Sequence, residues 1–413
     1  MGIYRTTGAV YAVIKEASFN VGGTFTDSDV VSVTSDTSLK PEVDSIERKA
    51  TTASFIGLPA LAGKEHGSGT FGVELIPDSA VAPANVVGST ILEVALGIKS
   101  IPGAGTGAII GKTVTGIDFT FAAADSSVAW TSTDLSYMIT GDKVNISGST
   151  SNDGNYTVAS VDTANSKIIF NETVVDEASG ATVTIIDKSY PMIEDCTRTG
   201  STGDAFLYKL NKACGSQDSL AIKMILGCTA SDSQSLIFKG IVPNSSKFTF
   251  PVADVATVTF DVGASSFQTK AGEAVLTSTS LTTNPYVGKN AAFKVDGVVY
   301  EAKDVEYTIT NTVSDRESLT GSGIDSKAVT KKEIKGTLSV TFQNWDELNK
   351  FKGNTNASIY LETDSGDSLF ATYLPLVRYS AVDVADDSGI LINKIEFTAY
   401  EDAYGEALYI AHK

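Results

Sequence analysis

Residues 303–311 read K-D-V-E-Y-T-I-T-N, an unbroken alternation of polar and apolar side chains. Val305, Tyr307 and Ile309 share one side, while Asp304, Glu306, Thr308 and Thr310 share the other. A period of two is that of a β-strand with one face in a core and one in water. The pattern returns at Ile334, Gly336, Leu338, Val340 and Phe342, set against Lys335, Thr337, Ser339 and Thr341. The stretch between, residues 314–326, is polar and rich in Ser and Gly, and reads as a loop. Residues 344–353 then read as a short helix. Asn344 suits the N-cap, Asp346 and Glu347 suit the first turn, and Gly353 suits the position just past the end. Strands over 357–363, 369–381 and 390–400 complete the unit.

The same order occurs earlier. Residues 29–34 (D-V-V-S-V-T) read as a strand and are followed by a long polar loop. Residues 64–77 (K-E-H-G-S-G-T-F-G-V-E-L-I-P) align with 332–344, both carrying Gly-Thr before alternating apolar residues. This sets Phe71, Val73 and Leu75 against Leu338, Val340 and Phe342. A helix over 90–96 ends at Gly97. Residues 219–227, 236–242 and 256–262 align with 358–364, 369–375 and 393–399. Five elements in one order indicate an internal duplication.

A different small β-unit, about 107–187, interrupts the first copy. It contains the stretches 141–148 and 152–158 and further strands at 167–170 and 181–187, with Asp153-Gly154 as a hairpin signal. The expected organisation is therefore a first domain of residues 1–106 and 188–275, an insertion of 107–187 projecting outward, and a second domain of 276–413. Insertions are tolerated in exposed loops.

Composition agrees with an all-β chain and narrows its chemistry. Thr and Val favour strands, and the 36 glycines favour turns. A net charge of −18 opposes tight nucleic-acid binding, which relies on Lys and Arg neutralising phosphates. Cys196, Cys214 and Cys228 fit no zinc spacing and read as buried thiols of a protein folded in a reducing cytosol. The first residues lack a signal-peptide pattern, and no run of about 18 apolar residues is present.

Catalytic signals are sparse. Only His66 and His412 are histidines, which disfavours a histidine triad or a multi-histidine metal site. Residues 103–113 look like a phosphate-binding loop, but Thr106 stands where its first glycine belongs, so a linker is expected. Asp383, Asp386 and Asp387 lack calcium-loop spacing and read as a solvated turn. Trp130 and Trp345 are expected in cores. A carbohydrate-active enzyme would need paired carboxylates in a cleft, and no such pair is visible.

The run Glu47-Arg48-Lys49, then Gly69-Thr70-Phe71-Gly72-Val73-Glu74-Leu75-Ile76-Pro77, then Leu92 to Gly97, resembles the N-terminal part of phage tail tube proteins. Residues 305–311, 336–342, the helix ending Lys350-Phe351 and 358–363 resemble that family's C-terminal part. The inserted segment, with Gly141-Asp142 and Asn152-Asp153-Gly154-Asn155-Tyr156-Thr157-Val158, resembles small β-modules of the same virion proteins. The first 20 residues and 195–212 depart from the pattern.

That resemblance implies an all-β fold with minor helices. Two tandem β-sandwich tube domains would contribute strands to an intersubunit β-barrel. It implies a structural virion protein and no enzyme: a major tail tube subunit that needs no cofactor or metal and stacks as rings into the conduit for DNA ejection. With two tube domains per chain, three chains complete a pseudo-hexameric ring; a ring of six chains is the alternative. Tape-measure protein and DNA would pass through the lumen without specific binding. Tail terminator and tail tip proteins would meet the tube ends, with no membrane partner. The location implied is the phage tail, assembled in the host cytoplasm. Asp304, Glu306, Thr308, Ser339 and Thr341 are expected to face the lumen. Val305, Tyr307, Ile309, Leu338, Val340 and Phe342 are expected in the core. Residues 35–61 and 313–329 are expected to reach the adjacent ring. The alternatives are the inner tube of a contractile tail or related injection system, and a bacterial surface or adhesin protein.

Overall fold

A computed structural model describes residues 9–48, 59–78, 85–86, 89–100, 113–131, 135, 138, 140, 143–187, 206–210, 218–227, 232–277, 284–317, 324–365, 368–402 and 406–412. The three cysteines, residues 103–112, Lys49, Gly141 and Asp142 lie outside the described residues.

Two long antiparallel hairpins organise the chain. The first joins Ser38–Ile46 to Leu61–Glu74, and the second joins Ala302–Glu317 to Ile324–Thr341. The returning strand of each pairs with a shorter one, Thr257–Ala264 in the first case and Ile390–Ala399 in the second. These pair in turn with two very long strands, Gln234–Pro251 and Ser368–Asp387. Each long strand bends, and its first half runs against Leu220–Leu226 or Ala357–Ser365. Those hold Val10–Lys15 and Ala292–Val295 at their far sides. The strand order thus occurs twice, and each copy is a sandwich.

The irregularities repeat as well. The ladder slips between Val43 and Ser45 in the first hairpin and between Thr312 and Val313 in the second. It slips between Pro243 and Ser245, and again between Tyr379 and Ala381. A third pair lies between Leu220 and Ile222, and between Ala357 and Ile359. A bulge inserts one residue and bends its strand, so matching bulges bend both long strands at matching points. They place Gly69-Thr70 opposite Gly336-Thr337 in the two copies. They also shift the later correspondences: Val258, Phe260 and Val262 match Asn393, Ile395 and Phe397, two residues from the sequence alignment. Apolar alternation cannot detect a slip of two, because it preserves the face.

One apolar cluster runs through both copies, from Val13, Phe71 and Ile91 to Leu338, Phe397 and Ile410. Its aromatic spine crosses between them: Phe248 stacks on Tyr307 at 4.8 Å, and Phe250 lies 6.0 Å from Phe370. Removing one such ring costs about 3–5 kcal/mol. Helices Ser89–Leu96 and Asp346–Gly353 follow the two hairpins. In the second, Trp345 occupies the N-cap and Asn344 instead accepts the Asp346 N–H through its side chain at 2.8 Å. The left-handed residue is Asn354, not Gly353; Asn tolerates that region well. Buried Glu347 anchors this helix, accepting from Tyr300 Oη at 2.8 Å and from Tyr379 Oη.

Several local expectations are corrected. The described residues of the polar stretch 314–326, namely 314–317 and 324–326, are strand and extend the second hairpin. The first barrel strand of the first copy is Ser38–Ile46; only Val30–Val31 of residues 29–34 form a strand, beside Val10–Lys15. Trp345 is 56% exposed and meets Phe342 edge-on, whereas Trp130 is buried. Phe342 is half-buried rather than in the core.

Residues 113–187 form a separate seven-stranded sheet with its own apolar cluster around Phe121, Val128, Trp130, Ile146, Val158 and Ile168. Lys143–Ser147 and Gly154–Asp162 do pair, but Asp153-Gly154 is no two-residue turn. Asp153 ends the connecting loop, accepting from Ser149 N at 2.8 Å. Glu177 holds the same loop through Thr150 N at 2.7 Å and Asn152 Nδ2 at 2.9 Å.

Candidate functional site

The two copies meet strand to strand. Ser245 to Pro251 pair antiparallel with Thr310 to Asp304, and Asn311 Nδ2 donates to the Pro243 carbonyl at 2.9 Å. One continuous sheet therefore runs through Ser38–Ile46, Leu61–Glu74, Thr257–Ala264, the second half of Gln234–Pro251, Ala302–Glu317, Ile324–Thr341, Ile390–Ala399 and the second half of Ser368–Asp387. Most of these strands alternate, so one face of this eight-stranded sheet is largely apolar and the other polar.

The five residues singled out from sequence all lie on the polar face. Asp304 stands directly opposite Ser339, and Glu306 and Thr308 follow along the same strand opposite Thr337 and Lys335. All five are exposed or half-buried, whereas Val305, Tyr307, Ile309, Leu338 and Val340 between them are buried. Thr341 differs from the rest because its hydroxyl donates to the Glu301 carbonyl at 3.3 Å. Tyr307 Oη and Thr372 Oγ1 share a hydrogen bond of 3.0 Å within the core, and burial raises the Tyr307 pKa well above the ordinary phenol range.

The tertiary structure adds lysines to this face. Lys247 lies opposite Thr308 and forms an ion pair with Glu306 at 2.9 Å. Lys335 lies between Thr308 and Thr398, and Lys394 between Ser339 and Asp383. Lys335 pairs with Glu333 at 3.1 Å and, with Lys331, holds that carboxyl below its usual range. Thr249, Thr257, Thr259, Asp261 and Glu396 complete the surface. The alternation T-V-T-F-D over 257–261 and K-F-T-F over 247–250 carried this signal in sequence. What local pattern could not show is that these strands share a face with 304–308. The wall is polar and of mixed charge, so each lysine's pull on an anion is offset by a nearby carboxylate.

His66 sits on the same hairpin side between Glu42 and Asp44, at 3.5 and 3.2 Å. Asp383, Asp386 and Asp387 lie along the end of a strand rather than in a turn. Among the described residues, no group of three or more His, Cys, Asp or Glu is placed to hold a metal ion, and no helix is long and apolar enough to cross a membrane.

Both outer strands of the continuous sheet have an open side. Among the described residues, Ser38–Ile46 pairs only with Leu61–Glu74, and beyond Tyr379 the strand Ser368–Asp387 pairs only with Ile390–Ala399. An unpaired edge presents a row of free N–H and C=O groups, a template for another strand. A family model described as phage tail tube protein matches residues 6–399. No curated protein matches the chain.

Proposed function

The chain belongs to the phage tail tube protein family, and from that premise we propose that three copies close each ring of a stacked tube through which phage DNA leaves the particle. A tail tube subunit is a structural component of the virion tail, and its family implies self-assembly into a tube. The observation that carries the ring of three is the continuous sheet of eight strands with one polar face and two open edges. Three such sheets joined edge to edge give a barrel of about two dozen strands, which removes every open edge. The repeated strand order and matched bulges support two tandem tube domains, residues 1–106 with 188–275 and residues 276–413, with 107–187 inserted between parts of the first.

In this assembly the polar face lines the bore. Asp304, Glu306, Thr308, Ser339 and Thr341 then meet the passing tape-measure protein and DNA. Water-filled, mixed-charge walls hold no phosphate firmly. The hairpin arms Ser38–Ile46 with Leu61–Glu74 and Ala302–Glu317 with Ile324–Thr341 reach the next ring, and the inserted sheet sits on the outside. Negative-stain microscopy of the purified protein tests the reading. Tubes or rings with three-fold density are expected; stable monomers under all conditions overturn it, and rings of six chains overturn the stoichiometry.

A further inference from the structure

We infer that the seam between neighbouring chains has a defined register, in which Asp383 of one copy lies directly opposite Lys40 of the next and Val384 opposite Leu39. The inference rests on the ring reading above and supplies its contact residues. The occupant of both open edges is a second copy of this chain.

The register follows from the junction already present within one chain. There, the segment after the bulge at Pro243 and Ser245 pairs with residues 304–310. The equivalent bulge at Tyr379 and Ala381 places residues 381–385 where 245–249 stand in the first copy. The bulges at Val43 and Thr312 place residues 38–42 where 306–310 stand in the second. Independent backbone geometry supports that match. A β-carbon on Gly336 would come within 2.5 Å of the Glu306 carbonyl oxygen, and one on Gly69 within 1.8 Å of the Ser38 carbonyl oxygen. The same close approach recurs at the same ladder position.

Transferring the internal pairs gives the seam. Ser245 with Thr310 becomes Ala381 with Glu42, and Ser246 with Ile309 becomes Val382 with Pro41. Lys247 with Thr308 becomes Asp383 with Lys40, and Phe248 with Tyr307 becomes Val384 with Leu39. Backbone register alone thus sets opposite charges against each other on the polar face and apolar residues against each other on the core face. Cross-strand pairs of both kinds favour pairing. A slip of two residues in one direction would set Asp383 against Glu42, two like charges. A slip of one would turn each core side chain to the bore. Asp383 and Lys40 are exposed, and Val384 and Leu39 are half-buried, as expected of an edge awaiting its neighbour. Pro41 lacks an N–H, so this edge offers one donor fewer to an unrelated strand.

The hairpin ends follow the same rule. Lys64 reaches Asp315 at 3.9 Å between the two copies within a chain. Its counterpart across the seam is Lys331 with Glu47, and Glu47-Arg48 stands where Asp315-Arg316 does in the second hairpin.

Cysteine cross-linking tests the register. In a full-length chain with Cys196, Cys214 and Cys228 replaced by serine, K40C/D383C is oxidised with copper–phenanthroline. Directly opposed positions suit disulfide geometry, so dimers and trimers are expected on denaturing gels, with at least tenfold faster linkage than in E42C/D383C. Faster linkage in the shifted pair overturns the register. Tubes seen by microscopy with neither pair linking also overturn it, while leaving the tube reading intact; monomers by microscopy defeat the tube reading itself. Charge reversal provides a second test without new cysteines. K40E and D383K should each abolish polymerisation, and K40E/D383K should restore it. Failure of the double variant to recover, with both singles folded by circular dichroism, likewise overturns the pairing.

Discussion

Lys247 and Glu306 form an ion pair of 2.9 Å across the line where the first half of the chain joins the second. Their side chains are 47% and 37% exposed, so the pair contributes little to stability, about 1 kcal/mol or less. In the proposed bore, the pair would answer each of these two charges before a passing anion meets it. K247E is expected to shift the thermal midpoint of the unassembled chain only slightly. Calorimetry on K247E, E306K and K247E/E306K checks this, and a loss well above about 1 kcal/mol in either single variant would contradict it.

The bore assignment makes a different demand. Reversing Asp304 and Glu306 to lysine removes two carboxylates, adds two cations and leaves Lys247 without its ion-pair partner. Particles with D304K/E306K tubes should adsorb normally but eject DNA more slowly, most of all at low salt, where phosphate contacts are strongest. Ejection rates in vitro across a salt series measure this. Unchanged rates at every salt would remove these residues from the bore.

Glu347 clasps the second helix to the sandwich by accepting from two buried tyrosines, with Lys350 donating at 3.0 Å. Burial and the adjacent Glu347 charge raise the pKa of both Tyr300 and Tyr379. E347A leaves both hydroxyls without that acceptor and should cost about 2–4 kcal/mol. E347Q retains one acceptor oxygen and should lose roughly half as much. Urea denaturation of the three proteins decides the order.

Burial opposes ionisation of Glu273, but Lys223, Lys270 and Ser235 outweigh it and hold the carboxyl at about 2. A depressed carboxyl pKa means the folded state binds its proton less readily than the unfolded one. Its contribution is therefore complete above pH of about 4.5 and disappears as pH falls through about 2. E273Q should lose roughly 1–3 kcal/mol at neutral pH. The difference between wild type and variant should vanish in strong acid, as acid titrations of stability would show.

Lys332 behaves in the opposite sense. Its side chain turns to the core side and donates to the Leu96 carbonyl at the end of the first helix at 3.0 Å, and burial lowers its pKa to about 8. The unfolded chain binds that proton more tightly, so this lysine opposes folding below pH 8, and stability gains from it as pH rises from about 8 toward 10.5. K332M should flatten that rise relative to wild type. Thermal midpoints of both proteins between pH 7 and 10 test the difference, which cancels the titration of tyrosines common to both.

Residues 303–311 declared their strand and both its faces, because one side of that strand lies in a core and the other in water. Ser38–Ile46 declared neither. Its positions are exposed apart from Leu39, its outer side has no neighbour among the described residues, and Pro41 argues against a central strand. The lysines of the polar face were missed for another reason: Lys247 and Lys394 lie far from 304–308 in the chain and join them only through strand pairing. Trp345 shows the limit of composition, since a large ring beside a helix start is exposed here and meets Phe342 edge-on.

Side-chain alternation by itself determined that this chain is all-β, which residues of its alternating strands such as 303–311 face inward, and that one pattern of strands occurs twice. Only the tertiary structure decided which strand lies beside which, and so where one sheet runs on from the first copy into the second and where it stops at an open edge. The physical reason lies in the ladder. Every strand offers the same N–H and C=O groups to any neighbour, so partner and register are set by bulges, by close approaches such as Gly336 to Glu306, and by the opposing side chains at each pair.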